Sequence, residues 1–171
     1  MLHILIDIRE EGAADIDSVR EVNRSAFGQD HEGNIVDALR SNGAALLSLV
    51  ATLNGQVVGH IMYSPIVVGG TADGAALGPV AVLQEYQRQG IGSSLILAGN
   101  QRLKDAGCPF IIVIGHPHYY PRFGFMSARS HGITCEWDVP DEAFMLLFLD
   151  EPKGRVLSGQ AKYRPEFSSV S

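Results

Sequence analysis

Several things are scarce in this chain. Of its 171 residues only two are cysteines, Cys108 and Cys135. They form no CxxC pair or other close ligand spacing, which excludes a disulfide scaffold and a cysteine-built metal centre; both read as packing residues in a reducing compartment. Basic charge is also short, with 13 Lys and Arg against 19 Asp and Glu and a formal net charge of -6. Nucleic-acid binding needs a stripe of positive charge that this balance does not supply. Long apolar runs are missing too: 110–114 and 143–149 fall well short of the ~20 residues of a membrane helix. Asp7, Arg9, Glu10 and Glu11 follow Met1 where a signal peptide would carry its apolar run. The expectation is a cytoplasmic protein with neither a membrane nor a nucleic acid as partner.

What is present is ordinary for a globular domain: 46% hydrophobic, 19% charged and 8% aromatic residues. A chain of this length buries roughly 70% of its unfolded surface, enough for one core without staples. A single domain over residues 1–171 is expected, with no internal repeat and no low-complexity segment.

Hydrophobic periodicity orders the elements. A strand over Leu2–Ile8 precedes a helical pattern at Asp15, Ile16, Val19, Val22 and Phe27. A second opens at His31, Glu32 and Asn34 and stops at Asn42-Gly43. Strands over 46–53 and 56–68 are joined by Asn54-Gly55, the dipeptide suited to a two-residue hairpin. Thr71–Gly74 reads as a turn before a strand through Leu77, Val80 and Val82, in which Pro79 marks an edge, a bulge or a separation of strands. Residues 90–106 form the strongest helix, stopped by Gly107, and 110–114 a buried strand. This strand, helix, strand unit predicts a parallel pair with a right-handed crossover. A loop or helical turn at 116–123 and strands over 126–135, 144–149 and near 156–163 complete the chain.

The most informative stretch is Gln87-Arg88-Gln89-Gly90-Ile91-Gly92, between a strand and a long helix. Glycines let backbone approach a ligand, and the first helical turn offers N–H donors and a positive dipole end, a natural seat for pyrophosphate. No Gly-Lys-Ser/Thr follows, so this is not a Walker loop. The third glycine of the dinucleotide fingerprint is absent as well. Standing alone, Gly-x-Gly reads equally as a tightly packed helix start.

It does not stand alone. Leu-Gly-Pro-Val-Ala-Val at 77–82, the loop, and Tyr-Pro-Arg-Phe-Gly-Phe at 120–125 together resemble the GNAT superfamily of acyl-CoA-dependent N-acetyltransferases, most of all its YhbS-like branch. Gln87, Gly90 and Gly92 fill the family's loop pattern, and Tyr120, Gly124 and Phe125 its Tyr-x-x-x-Gly-Phe signature. The element order fits over nearly the whole chain, the specific motifs over its central third. The resemblance implies a mixed α/β (α+β) fold, with a largely antiparallel central sheet flanked by helices and a splayed parallel strand pair. It implies acetyl-CoA as co-substrate, no metal, and acetyl transfer by direct attack of a primary amine on the thioester.

The roles follow by the same resemblance. Backbone N–H groups of Arg88, Gln89, Gly90, Ile91, Gly92 and Ser93 would hold the pyrophosphate, with Arg88 adding charge. Val80, Ala81 and Val82 would pair with the pantetheine amides and polarise the thioester oxygen. Tyr120 matches the general acid; Tyr119 beside it competes, but the motif spacing favours Tyr120. An Asn common in the superfamily seven residues before that tyrosine is replaced by Val113. No residue declares itself as base. His116, following the strand end, is the best single choice, ahead of Glu85 and Glu32, and its alternative is a loop imidazole with no role. His116 and His118 have no third ligand near them, against a metal site. Residues 27–32 would roof the acceptor pocket.

Two rivals stand beside the enzyme reading. One is a non-catalytic acyl-CoA-binding or regulatory module; the other is an unrelated nucleotide binder for which Tyr120 is irrelevant. The acceptor, a small-molecule or protein amine, is unnamed by the sequence, although net acidity mildly favours a cation. The C-terminal strands complete the sheet within one chain or pair across a homodimer; their apolar pattern admits both.

Overall fold

The structure, a computed structural model, describes residues 5–70, 72–150 and 157–169. In chain order these give β1 (Asp7–Glu10), α1 (Ile16–Phe27), α2 (His31–Ser41), β2 (Leu47–Leu53), β3 (Gln56–Val68) and β4 (Ala72–Val82). Then come α3 (Ile91–Asp105), β5 (Phe110–Ile114), β6 (Met126–Ser127), β7 (Ile133–Cys135), β8 (Phe144–Phe148), β9 (Gly159–Lys162) and α4 (Glu166–Ser169). The fold is mixed α/β: an open, mostly antiparallel sheet with parallel pairs, β4 with β5 as expected and β7 with β9, and flanking helices. Two compact units divide the chain, the first taking residues to Tyr63, Gly78–Gly99 and those from Pro165 on, the second Ser64–Leu77 and Asn100–Arg164.

In the first unit β1 runs antiparallel to β2, from Asp7↔Thr52 to Glu10↔Leu49, and β2 antiparallel to β3, from Leu47↔Tyr63 to Leu53↔Gln56. Asn54 at φ 51° and Gly55 at φ 81° make the hairpin turn, both in the left-handed region that the I′ geometry needs. Helix α1 ends where Gly28 takes φ 69° and returns its N–H to Arg24 C=O. Val19 and Val22 of α1 with Ile35, Val36 and Leu39 of α2 close on Val50, Val57, Met62 and Ala81 to form the core. Helix α3 lies tight on β3: a Cβ at Gly59 would press Leu95 Cδ1 at 3.0 Å and Ile91 Cγ2 at 3.1 Å.

In the second unit β5 pairs with β8 antiparallel, Phe110↔Phe148 through Ile114↔Phe144, and β6 continues on β8. The parallel β4–β5 ladder consists of Ala75↔Ile111 and Ala76↔Ile112. Strand β9 pairs with β3 and, in parallel, with β7, so the C-terminal strands complete the sheet within the chain. Ile66, Val68, Phe110, Ile112, Ile133, Phe144 and Leu146 fill the core.

Four boundaries depart from expectation. The first strand is Asp7–Glu10, set by its pairing with β2 and not by apolar content; Met1–Ile4 lie outside the described residues. The turn expected at Thr71–Gly74 is made by Gly69 and Gly70, at φ 63° and 79°, and Gly74 is inside β4, where a Cβ would strike the Phe110 ring; Thr71 is outside the described residues. Gly74 therefore marks packing, not a turn. The single strand expected over 126–135 is two, because Arg129–His131 forms a helical turn closed by Gly132 at φ 76°. The last strand shortens to Gly159–Lys162, its expected start at Val156 lying outside the described residues.

Candidate functional site

The candidate phosphate loop belongs to the first unit. After β4 a helical turn at Gln84–Tyr86 leads to Gln87, extended at φ -69° and ψ 159°. Arg88 then takes φ 63° and Gly90 φ 86°. A left-handed conformation costs an arginine about 1 kcal/mol or more, strain of the kind concentrated at ligand clamps. Ser94 N–H donates to Gly90 C=O at 3.0 Å. Helix geometry therefore gives the amides of Ile91 and Gly92, one turn earlier, no intrahelical acceptor. Residues 87–90 are exposed, while Ile91, 2% exposed, anchors the helix start in the interior. The arrangement is an open, positively polarised helix terminus able to bind phosphate through main-chain donors. Val80 and Val82 on the preceding strand are half-buried and Ala81 is buried. Among the described residues Arg88 makes no ion pair.

The candidate reactive tyrosine belongs to the second unit. Gly115 follows β5, its N–H held by Ala143 C=O at 2.9 Å. His116 C=O then accepts the N–H groups of Tyr119 at 3.1 Å and Tyr120 at 3.3 Å. That turn brings His116 and Tyr120 into one short segment, with the His116 side chain exposed. Tyr120 sits edge-on to Tyr119 (5.2 Å) and to the buried Phe125 (5.7 Å), tilted against Phe123. Its ring crosses the backbone where a Cβ at Gly115 would overlap Tyr120 Cε2. Burial, with Tyr119 beside it, pushes the Tyr120 phenol up to about 12. The hydroxyl thus keeps its proton across the physiological range and is available as a hydrogen-bond donor. Tyr119 is engaged elsewhere, with the Arg122 guanidinium 4.7 Å above its ring.

Residues 16–125 match the Acetyltransferase (GNAT) family. The chain belongs to that family. It is similar to the uncharacterized N-acetyltransferase YhbS of Escherichia coli strain K12, 32% identical over 163 residues that cover 94% of this chain and 98% of the relative. The crystal structure of that GNAT family protein in complex with CoA superimposes with a TM-score of 0.91 at 31% identity, covering 98% of this chain and 94% of the other. A GNAT family acetyltransferase from Brucella melitensis in complex with acetyl-CoA gives a TM-score of 0.80 at 37% identity, covering 96% and 99%. The GNAT domain and the N-acetyltransferase names of its relatives make this chain an acyltransferase.

The remaining candidates of this GNAT chain are placed as follows. Val113, where many family members carry Asn, is buried in β5 opposite Met145 and offers no polar contact. Glu85 is exposed in the turn after β4. Glu32, in the first turn of α2, accepts from Gln29 Nε2 at 3.2 and 3.3 Å. At the C-terminal end of α1, Phe27 is 39% exposed. Cys108 and Cys135 are both half-buried thiols whose pKa burial raises. Among the described residues no three His, Cys, Asp or Glu side chains gather to hold a metal ion. No helix described is long and apolar enough to cross a membrane.

Three features escaped sequence reasoning. Gly115 clears space for the Tyr120 ring, and Gly99 does the same for Tyr63. Ser25 Oγ of α1 accepts the Gln84 N–H at 3.2 Å, tying that helix to the turn that leads into the candidate loop. A glycine kept for clearance carries no local signal, because its reason is a side chain elsewhere in the chain.

Proposed function

We propose that this GNAT protein transfers the acetyl group of acetyl-CoA to a primary amine of a small molecule or protein, working as one domain over residues 1–171. The loop at 87–93 carries the reading: an exposed glycine turn with a left-handed arginine, opening onto a helix terminus. The amides of 88–93 would hold the pyrophosphate, and the strand-end backbone at 80–82 the pantetheine arm. The complexes of its structural relatives with CoA and acetyl-CoA support the ligand class.

The thioester supplies the acetyl group. The neutral amine nitrogen forms a bond to the carbonyl carbon, the C–S bond breaks, and the electron pair leaves on sulfur. His116 would take the proton from the amine, directly or through water. Tyr120, near 12 against about 8.5 for an ordinary thiol, is suited to stabilise the developing thiolate by a hydrogen bond more than by complete proton transfer. Preorganised donors of that kind are the larger electrostatic contributors in active sites.

Thermal unfolding with acetyl-CoA, ATP and NAD tests the ligand without needing the acceptor. A ligand at 100 times its Kd adds about 2.7 kcal/mol and raises the midpoint by several degrees. A shift with acetyl-CoA alone supports the reading and leads to an amine screen on wild type and Tyr120→Phe. A larger shift with ATP or NAD overturns it. Acetyl-CoA binding with no turnover on any amine class, which the loss of polarity at Val113 would suit, identifies the chain as a non-catalytic acyl-CoA module.

A further inference from the structure

The turn after β4 is closed by a side chain as well as by backbone. Leu83 N–H donates to Val58 C=O of β3 at 2.9 Å, Tyr86 N–H to Leu83 C=O at 2.8 Å, and Gln87 N–H to Gln84 C=O at 3.3 Å. Because the polar groups of successive strand residues alternate in direction, Leu83 and Ala81 face β3, while Val80 and Val82 face away from it. The outward Val82 carbonyl is not left open. Gln87 reaches back five residues, and its Nε2 donates to Val82 C=O at 2.9 Å. The next residue, Arg88, is the one in the left-handed conformation.

We propose that Gln87 is a positioning residue and not a phosphate ligand. By holding the Val82 carbonyl it joins the last residue of β4 to the entry of α3. The outward strand groups at Val80 and Val82 and the helix-terminal amides are then presented to acetyl-CoA in one fixed geometry. The chemistry requires a donor of this length: glutamine supplies an N–H there, methionine has the length without the donor, and asparagine has the donor one methylene short. The role rests on the acetyl-CoA reading above and adds to it a residue acting through β4.

Dissociation constants for acetyl-CoA and for S-acetylpantetheine, which has no phosphate, separate the possibilities. Gln87→Met should raise both about tenfold, the scale of one hydrogen bond. Gln87→Asn should behave alike, and Gln87→Arg, which restores a donor, should return the S-acetylpantetheine constant to within threefold of wild type. The unliganded unfolding midpoint should stay within about 2 °C, since the side chain is exposed. A penalty seen with acetyl-CoA and absent with S-acetylpantetheine would make Gln87 a phosphate contact and overturn the role. So would constants within twofold of wild type for both Met and Asn variants while wild type binds. A wild type that binds neither compound would instead remove the acetyl-CoA reading itself.

Discussion

In the first unit the wholly buried His60 accepts from Asn23 Nδ2 at 3.2 Å through Nδ1 and lies 2.9 Å from Ser48 Oγ through Nε2. Since Nδ1 accepts, Nε2 carries the proton and donates to Ser48, whose hydroxyl donates to Glu11 at 2.8 Å. Arg40 holds Glu11 at 2.6 Å and Asp37 at 2.8 Å, and Arg20 pairs with Asp37 in turn. The interior of the second unit is Ile66, Phe110, Ile112, Ile133, Phe144 and Leu146, with an aromatic cluster around Tyr120. Directional bonds restrict how α1, α2, β2 and β3 can be arranged, whereas an apolar core tolerates volume-conserving substitution more readily. The proposed division of labour follows the same line: main-chain donors in the first unit bind, and one phenol in the second reacts.

The sharpest test of that division is Tyr120→Phe. It should lower kcat by about 10²–10³, the cost of one preorganised donor, and leave the acetyl-CoA Kd within twofold. A Kd change as large as the kcat change would erase the contrast. His60→Ala comes next: it empties a buried site, removes one hydrogen bond each from Asn23 and Ser48 and should cost about 3 kcal/mol, seen as a midpoint lowered by roughly 6–12 °C. A loss under about 1 kcal/mol would show that the network contributes little.

Acid should act on the first unit in the same sense. Burial, aided by the Arg40 charge, lowers the His60 pKa from 6.5 to about 3. The unfolded chain then binds a proton that the folded one refuses, so this contribution is complete above pH 6.5 and is lost as pH falls from there toward 3. Going from pH 6.5 to 5 should remove about 2 kcal/mol by denaturant titration, with that part of the slope missing in His60→Ala. The smallest effect is expected in the second unit, where Ile112→Val removes one methylene and should cost about 1 kcal/mol at any of these pH values. A loss several times greater would mean that the apolar interior is as exacting as the polar one.

Much of the fold is legible in local pattern. Asn54-Gly55 demands positive φ twice and has it, and the apolar faces of α1, α2 and α3 and the run at 110–114 lie where periodicity puts them. The glycine loop and the Tyr120 segment are visible because close backbone approach and a phenol at fixed spacing need particular residue types. Less legible are β1, which exists through its pairing with β2, and Gly74, whose glycine serves Phe110 of a strand 36 residues onward and not a turn.

Turn chemistry and periodicity act between neighbours in the chain, so they settle which segments become helix or strand and where a helix terminus with open main-chain donors falls. Clearance and hydrogen-bond closure act between residues far apart. Gly115 beneath Tyr120, and His60 linking Asn23 to Ser48, acquire meaning only when folding brings those atoms within a few ångströms. Only the tertiary structure shows that burial lifts the Tyr120 phenol above its ordinary value, because desolvation depends on what packs around a group and not on what adjoins it in the chain.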